Sequence, residues 1–235
     1  MTEEAKQKIQ LLLALAIAVA AIRTGYIFYE RHVVNSELAA KTAAPPLNPD
    51  YYVVPKKLYP YDLKSARQLT QQPVWVKEGY RYSVYPYRDH HADFSHPAGQ
   101  LLPIQELHIK DVVLDRTPGT ADEQQVMAVI EDAGKLYAFS IGLLKDGNYK
   151  IYSDEMLYIQ DPHELYKHWP SLVWQAIDKH EVNPGMNELQ ADFAVGMGIP
   201  EAGGGASKVV NYPNGGKPLK ITYHDGKASE IKPGA

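Results

Sequence analysis

Residues 124–159 read QQVMAVIED (124–132), AG (133–134), KLYAFSIGLL (135–144), KDGN (145–148) and YKIYSDEMLYI (149–159), and this stretch decides the fold. Val, Ile, Tyr and Phe recur through it, and two Gly-bearing breaks, Asp132-Ala133-Gly134-Lys135 and Asp146-Gly147-Asn148, interrupt it. β-Branched and aromatic side chains suit a pleated, half-buried surface, and short loops with Gly close tight hairpins. Consecutive antiparallel strands are therefore expected. Upstream, VWVKEGYRYSVYPY (74–87) and LLPIQELHIKDVVLD (101–115) have the same character. About five such strands over 74–159 predict a small, partly closed, SH3-like antiparallel β-barrel.

Downstream the period changes. Asp161-Pro162 offers an N-cap with Pro in the first helical position, and Pro170 restarts the helix. In PSLVWQAIDKH (170–180), Leu172, Val173, Ala176 and Ile177 form the expected core-facing stripe, with Trp174 beside it. Asn187-Glu188-Leu189-Gln190 is a capping-box pattern. It predicts a helix through Leu189, Phe193, Ala194 and Met197, ended by Gly198 and Pro200. After a glycine-rich stretch come KVVNY (208–212), PLKITYH (218–224) and KASEIK (227–232). Asn214-Gly215-Gly216 and Asp225-Gly226 separate them, which predicts a three-stranded meander whose second turn is of type I′.

Before the barrel, Asp62 can cap a helix over DLKSARQLTQ (62–71). The segment 41–60 carries five prolines and no helical period, and reads as an extended linker. At the N-terminus, IQLLLALAIAVAAI (9–22) is an apolar run of 14 residues broken only by Gln10. Counted on to Tyr29 it has 21 residues, about 31 Å as a helix, enough for one membrane span if Arg23 snorkels to an interface. Ile9, Leu12, Leu15, Val19, Ile22, Tyr26 and Phe28 would be its lipid-facing anchor. Counted strictly to Ile22, the run is instead a signal-peptide core, with Ala18-Val19-Ala20 as a small-x-small cleavage site.

The expected class is α+β, with an N-terminal transmembrane helix, a small SH3-like antiparallel β-barrel, and an α-α-β-β-β module. The expected segments are 1–40 for the membrane helix and its extension, 41–60 for the linker, 61–160 for the barrel and 161–235 for the module. One N-terminal span with a large C-terminal body suggests an inner (cytoplasmic) membrane protein, single-pass, with its body on the periplasmic side.

Composition excludes some functions. A net charge of -4 provides no field to gather nucleic acid, so no nucleic-acid partner is expected. With no cysteine, disulfides, thiolate metal sites and thiol nucleophiles are absent, as is a lipidated N-terminal cysteine. Tyr outnumbers Phe and Trp, 17 against 4 and 3, which suits strands with one wet face.

The runs WQAIDKHEVNPGMNELQADFAVGMGIPE (174–201) and VVNYPNGGKPLKITYHDGKASEI (209–231) carry a resemblance. Gly185-Met186 before a capped helix, Gly198-Ile199-Pro200 after it, and Tyr223-His224-Asp225-Gly226-Lys227 at the closing hairpin resemble the SmpA/OmlA (BamE-like) envelope domain family. The resemblance covers about 172–232 and implies an envelope location and a binding or scaffolding character. The family's typical lipidated cysteine has no counterpart here.

Candidate chemistry is sparse. His90, His91, Asp93 and His96 are competent metal ligands, yet their spacing matches no closed zinc pattern and a solvated loop is the simpler reading. Gly203-Gly204-Gly205 lacks the Gly-Lys-Ser/Thr ending and following helix of a phosphate loop. No serine lies in a Gly-x-Ser-x-Gly elbow, and the acidic pairs fall at strand ends. His163 and His168 read as surface groups. No catalytic residue and no cofactor is expected. Trp75, Trp169 and Trp174 are either core plugs or, where exposed, partner contacts. The sequence thus suggests a non-enzymatic, membrane-anchored envelope protein that binds or scaffolds other envelope proteins. An accessory subunit held in a larger membrane complex by its single helix is the second expectation, and a small-ligand binder secreted after cleavage is the third.

Overall fold

A computed structural model describes residues 17–34, 47–79, 81–116, 119–120, 122–201 and 207–234. They belong to two compact units, Met1–Tyr51 and Tyr52–Ala235. In the first unit residues 17–34 are helical (α1). Val19, Ile22, Tyr26 and Phe28 on this helix are exposed. Among the described residues no helix is long and apolar enough to cross a membrane. The expected span, Ile9 to Tyr29, begins outside the described residues, and α1 carries Arg23, Glu30 and Arg31 within its described length. Ile9, Leu12 and Leu15 lie outside the described residues.

The second unit is α+β and built from antiparallel sheets. Its elements run α2 (Leu63–Ala66), β1 (Val74–Val76), β2 (Ser83–Arg88), β3 (His91–Ala92), β4 (Gly99–Gln100), β5 (Glu106–Leu107) and β6 (Ile109–Arg116). Then follow β7 (Glu123–Asp132), β8 (Lys135–Lys145), β9 (Asn148–Ile151), α3 (Ser153–Met156), β10 (Leu157–Tyr158), α4 (Pro162–Leu165) and α5 (Ser171–Asp178). Last come α6 (Glu188–Val195), β11 (Ile199–Pro200), β12 (Ser207–Tyr212), β13 (Leu219–His224) and β14 (Lys227–Pro233).

A seven-stranded sheet in the order β3-β2-β8-β7-β6, with β4 on β2 and β9 on β8, curls into a half-barrel. The hairpins expected from sequence are present. Ala133 and Gly134, Asp146 and Gly147, and Asp225 and Gly226 all take positive φ at both turn positions, the geometry of type I′ turns. A Cβ at Gly142 in β8 would meet the Ile151 Cα at 2.8 Å, so glycine lets β9 lie close against β8. The C-terminal sheet runs β11-β12-β13-β14, and its Val210, Tyr212 and Ile221 share a core with Trp174 and Ile177 of α5 and Phe193 of α6.

A three-stranded sheet, β10-β1-β5, separates two cores. Side chains alternate across a strand, and here each face meets a different core. Val74, Val76, Leu107 and Leu157 enter the half-barrel core with Phe139 and Ile141. Trp75 and Tyr158 face the other way, into the core of Trp169, Trp174, Phe193 and Tyr212.

Several expected elements are cut differently. The stretch 74–87 is two strands on two sheets, and 149–159 is β9, a helical turn and β10 rather than one strand. The helix capped by Asp62 keeps one α-turn and continues as a 3-10 helix over Arg67–Gln71. On α5, Trp174 is buried and Leu172 is 72% exposed, so the buried stripe is turned by one position from the expected one. Helix α6 stops at Val195, because Gly196 (φ +84°) leaves the helix while its N–H bonds to the Asp192 carbonyl. Met197 is consequently exposed. Gly198 has another role. A Cβ there would stand 2.8 Å from the Tyr212 ring, so only glycine lets the chain cross β12 so closely.

Candidate functional site

The C-terminal ends of α5 and α6 converge beside the loop that joins β1 to β2. Helix α5 ends at Lys179, its C-cap, and the chain reverses at His180 in the left-handed region (φ +55°). Imidazole Nδ1 of His180 lies 3.1 Å from the Ala194 carbonyl of α6. From the β1–β2 loop, Arg81 Nη2 donates to the Val195 carbonyl at 3.2 Å. The Met197 N–H donates to the Glu78 carbonyl at 3.0 Å, which ties the same loop to the end of α6. Two basic side chains thus meet carbonyls left over at a helix C-terminus.

Between these parts lies a cleft of about 950 Å³. Arg81, Lys179, His180 and Lys217 line it, with Leu101 and Ala194 among its apolar residues, and no acidic residue does. No ion-pair partner of Arg81, Lys179 or Lys217 occurs among the described residues. Partial burial draws the Arg81 guanidinium below its usual range, yet it stays a cation at any physiological pH. The helix ends work against this charge. Two C-termini contribute about −1 in all at about −0.5 each, against three full positive charges, which leaves a surplus of about +2. Glycine keeps the far wall open: a Cβ at Gly215 (φ +60°) would stand 3.4 Å from Arg81 Nη1, and one at Gly216 would meet nothing within 4 Å.

The cleft runs into a second concavity of about 560 Å³, and the two share His180, Asn214 and Lys217. This one is more apolar, lined by Val182, Pro218, Leu219, Ile231 and Pro233, with Glu181 its single acid.

A buried polar cluster lies under α6. Asp192 is pushed up to about 7, first by burial and then by Glu188, against the opposing pull of the Gly198 N–H and the Tyr212 hydroxyl. Its Oδ1 has no hydrogen-bond partner among the described residues. Tyr212 and Tyr223 share a hydrogen bond of 2.8 Å between their hydroxyls. Burial drives both phenols upward, Tyr223 to about 12. Nearby, the Tyr158 hydroxyl donates to Glu78 Oε2 at 2.8 Å. The three tyrosines are buried, and Asp192 and Glu78 are partly buried beside them.

The residues singled out in the sequence are scattered. Asp115, 5% exposed, accepts from the Ala92 N–H at 2.6 Å and lies 3.0 Å from His91 Nδ1. His96 sits 3.0 Å from Asp93 instead. His90 is a turn residue with φ +65°. The described residues contain no group of three or more His, Asp or Glu arranged to hold a metal ion. Trp169 and Trp174 are buried against Phe193, and Trp75 is partly buried against the same core. His163 stacks on Trp174 at 4.1 Å between centroids, with Asp161 and Asp178 at 3.0 and 3.2 Å from its two nitrogens. Gly203, Gly204 and Gly205 lie outside the described residues.

Sequence reasoning missed the cleft because Arg81, Lys179 and Lys217 come from three distant loops with no shared motif. The one local signal was Asn214-Gly215-Gly216, which reads equally well as a plain turn. No known protein family, characterised protein or solved structure matches this chain.

Proposed function

We propose that the chain is a non-enzymatic, membrane-anchored envelope protein that binds or scaffolds other envelope proteins. The cleft carries this reading: an open, continuous concave surface with surplus positive charge at one end and apolar lining at the other. Charge and apolar area side by side are what a protein partner's surface requires. The order α5, α6, β11, β12, β13, β14 supports the resemblance to SmpA/OmlA domains, whose implied order is α-α-β-β-β, with the two-residue strand β11 as an addition. Under this reading the half-barrel is an SH3-like element appended to that module. Anchoring at the inner membrane, with the body on the periplasmic side, rests on the apolar run 9–22 and on its continuation in α1.

Gentle extraction in a neutral detergent followed by native mass measurement tests the reading. A recurrent complex of fixed stoichiometry is expected, and a monomer alone under all mild conditions contradicts it.

A second reading, an accessory subunit held in a larger complex by its single helix, is supported by apolar side chains left bare on α1, with Ile22 73% and Phe28 69% exposed. Replacing residues 9–29 with an unrelated polyleucine span separates the two: a complex that survives the replacement rules out the second.

A further inference from the structure

We infer that the Arg81 cleft seats an extended acidic segment of a partner protein, with carboxylates on Arg81, Lys179 and Lys217 and the apolar residues that follow them in the groove beside Ile231. This rests on the binding-module reading above and names the chemistry of the partner.

Three observations converge. First, the capping role of the cations does not exhaust them. Arg81 spends Nη2 on Val195, while a guanidinium has five N–H donors in a planar fork that matches a carboxylate. A half-buried cation whose hydrogen-bond partner among the described residues is one neutral carbonyl gains from an anion that replaces its lost hydration. Second, the surplus of about +2 calls for more than one negative charge in the occupant. Third, the cleft continues through His180, Asn214 and Lys217 into an apolar groove, a length that a single small anion leaves empty. Glu181 beside that groove fixes the direction, because it repels carboxylates at the apolar end. The Gly215-Gly216 wall leaves room for a backbone to pass.

The test uses the full chain in neutral detergent and the peptide Glu-Ala-Glu-Ala-Glu-Val-Leu-Val carrying an uncharged fluorophore, read by anisotropy. Saturable binding is expected, weakened in about 0.5 M salt, where the Debye length shrinks to a few ångströms. The double variant Lys179→Gln with Lys217→Gln, both exposed, is expected to lose about tenfold in affinity, and Arg81→Lys about threefold because the fork is lost while the charge stays. Partition of the peptide into micelles is unaffected by these substitutions. Equal binding of the counterpart with Gln in place of Glu, an unchanged affinity in the double variant, or no saturation at millimolar peptide overturns the inference. Displacement of the peptide by equimolar inorganic phosphate also overturns it, in favour of a small-anion site. If the native complex persists in the double variant, the binding-module reading stands and the cleft assignment falls. If the chain is only ever a monomer, that reading falls first.

Discussion

Asp192 is a partly buried acid whose environment penalises its charge, so it makes folding depend on pH in a definite direction. Below its ordinary value of 3.8 the carboxyl is neutral in both folded and unfolded chains, and its folded environment costs nothing. From there up to about 7 the unfolded chain ionises while the folded one holds the proton. The unfolded state then binds fewer protons, so stability falls across this window and levels off above it. Asp192→Asn keeps an acceptor for the Gly198 N–H and removes the titration. The variant is expected to gain on the order of 1–3 kcal/mol at pH 8 and nothing at pH 3.5. Thermal melts of both chains across this range check it; parallel curves would show that Asp192 is not the titrating group. Six residues along, Gly198→Ala forces a methyl against the Tyr212 ring and is expected to cost about 1–3 kcal/mol, read as a lower denaturant midpoint.

At the scale of elements, α6 shows what a sequence can and cannot specify. Its start was legible because a capping box is a local device. Asn187 accepts from the Gln190 N–H at 2.8 Å and Gln190 Oε1 from the Asn187 N–H at 2.9 Å. Asn187→Ala should therefore destabilise the unit by about 1 kcal/mol, measurable by urea titration, whereas Asn187→Ser should leave it nearly unchanged. The end of α6 was misplaced, because Gly196 and Gly198 are equal stop signals in sequence and only the fold separates them. Gly196 takes the left-handed φ, and Gly198 is needed for contact with β12. The hairpins were legible for the same local reason as the capping box. The division of 74–87 between two sheets was not, since it depends on Trp75 pairing with Tyr158 and Glu106, both distant in sequence. The cleft was illegible on the same ground, as its charges are brought together by packing alone.

For the second unit as a whole, the sheet β10-β1-β5 is the feature on which cooperativity turns. Each of its strands is short, and β1 has three residues, yet alternation hands consecutive side chains to opposite cores. Val74 and Val76 are fully buried on the half-barrel side, while Trp75 and Tyr158 pack toward Phe193. The half-barrel cannot open without withdrawing one face of this wall, and withdrawal exposes the apolar face of the other core. Folding of residues 52–235 is therefore expected to be a single transition rather than two. Hydrogen exchange with mass spectrometry gives the measurement: the slowest amides of β7 and β8 and those of β12 and β13 should open with the same free energy. Trp75→Ala, which removes a side chain from one core only, should lower both values together by about 2–3 kcal/mol, the lower range for deleting a partly buried aromatic. A loss confined to the β12–β13 amides, with the half-barrel unmoved, would mean that the wall separates the two cores without coupling them.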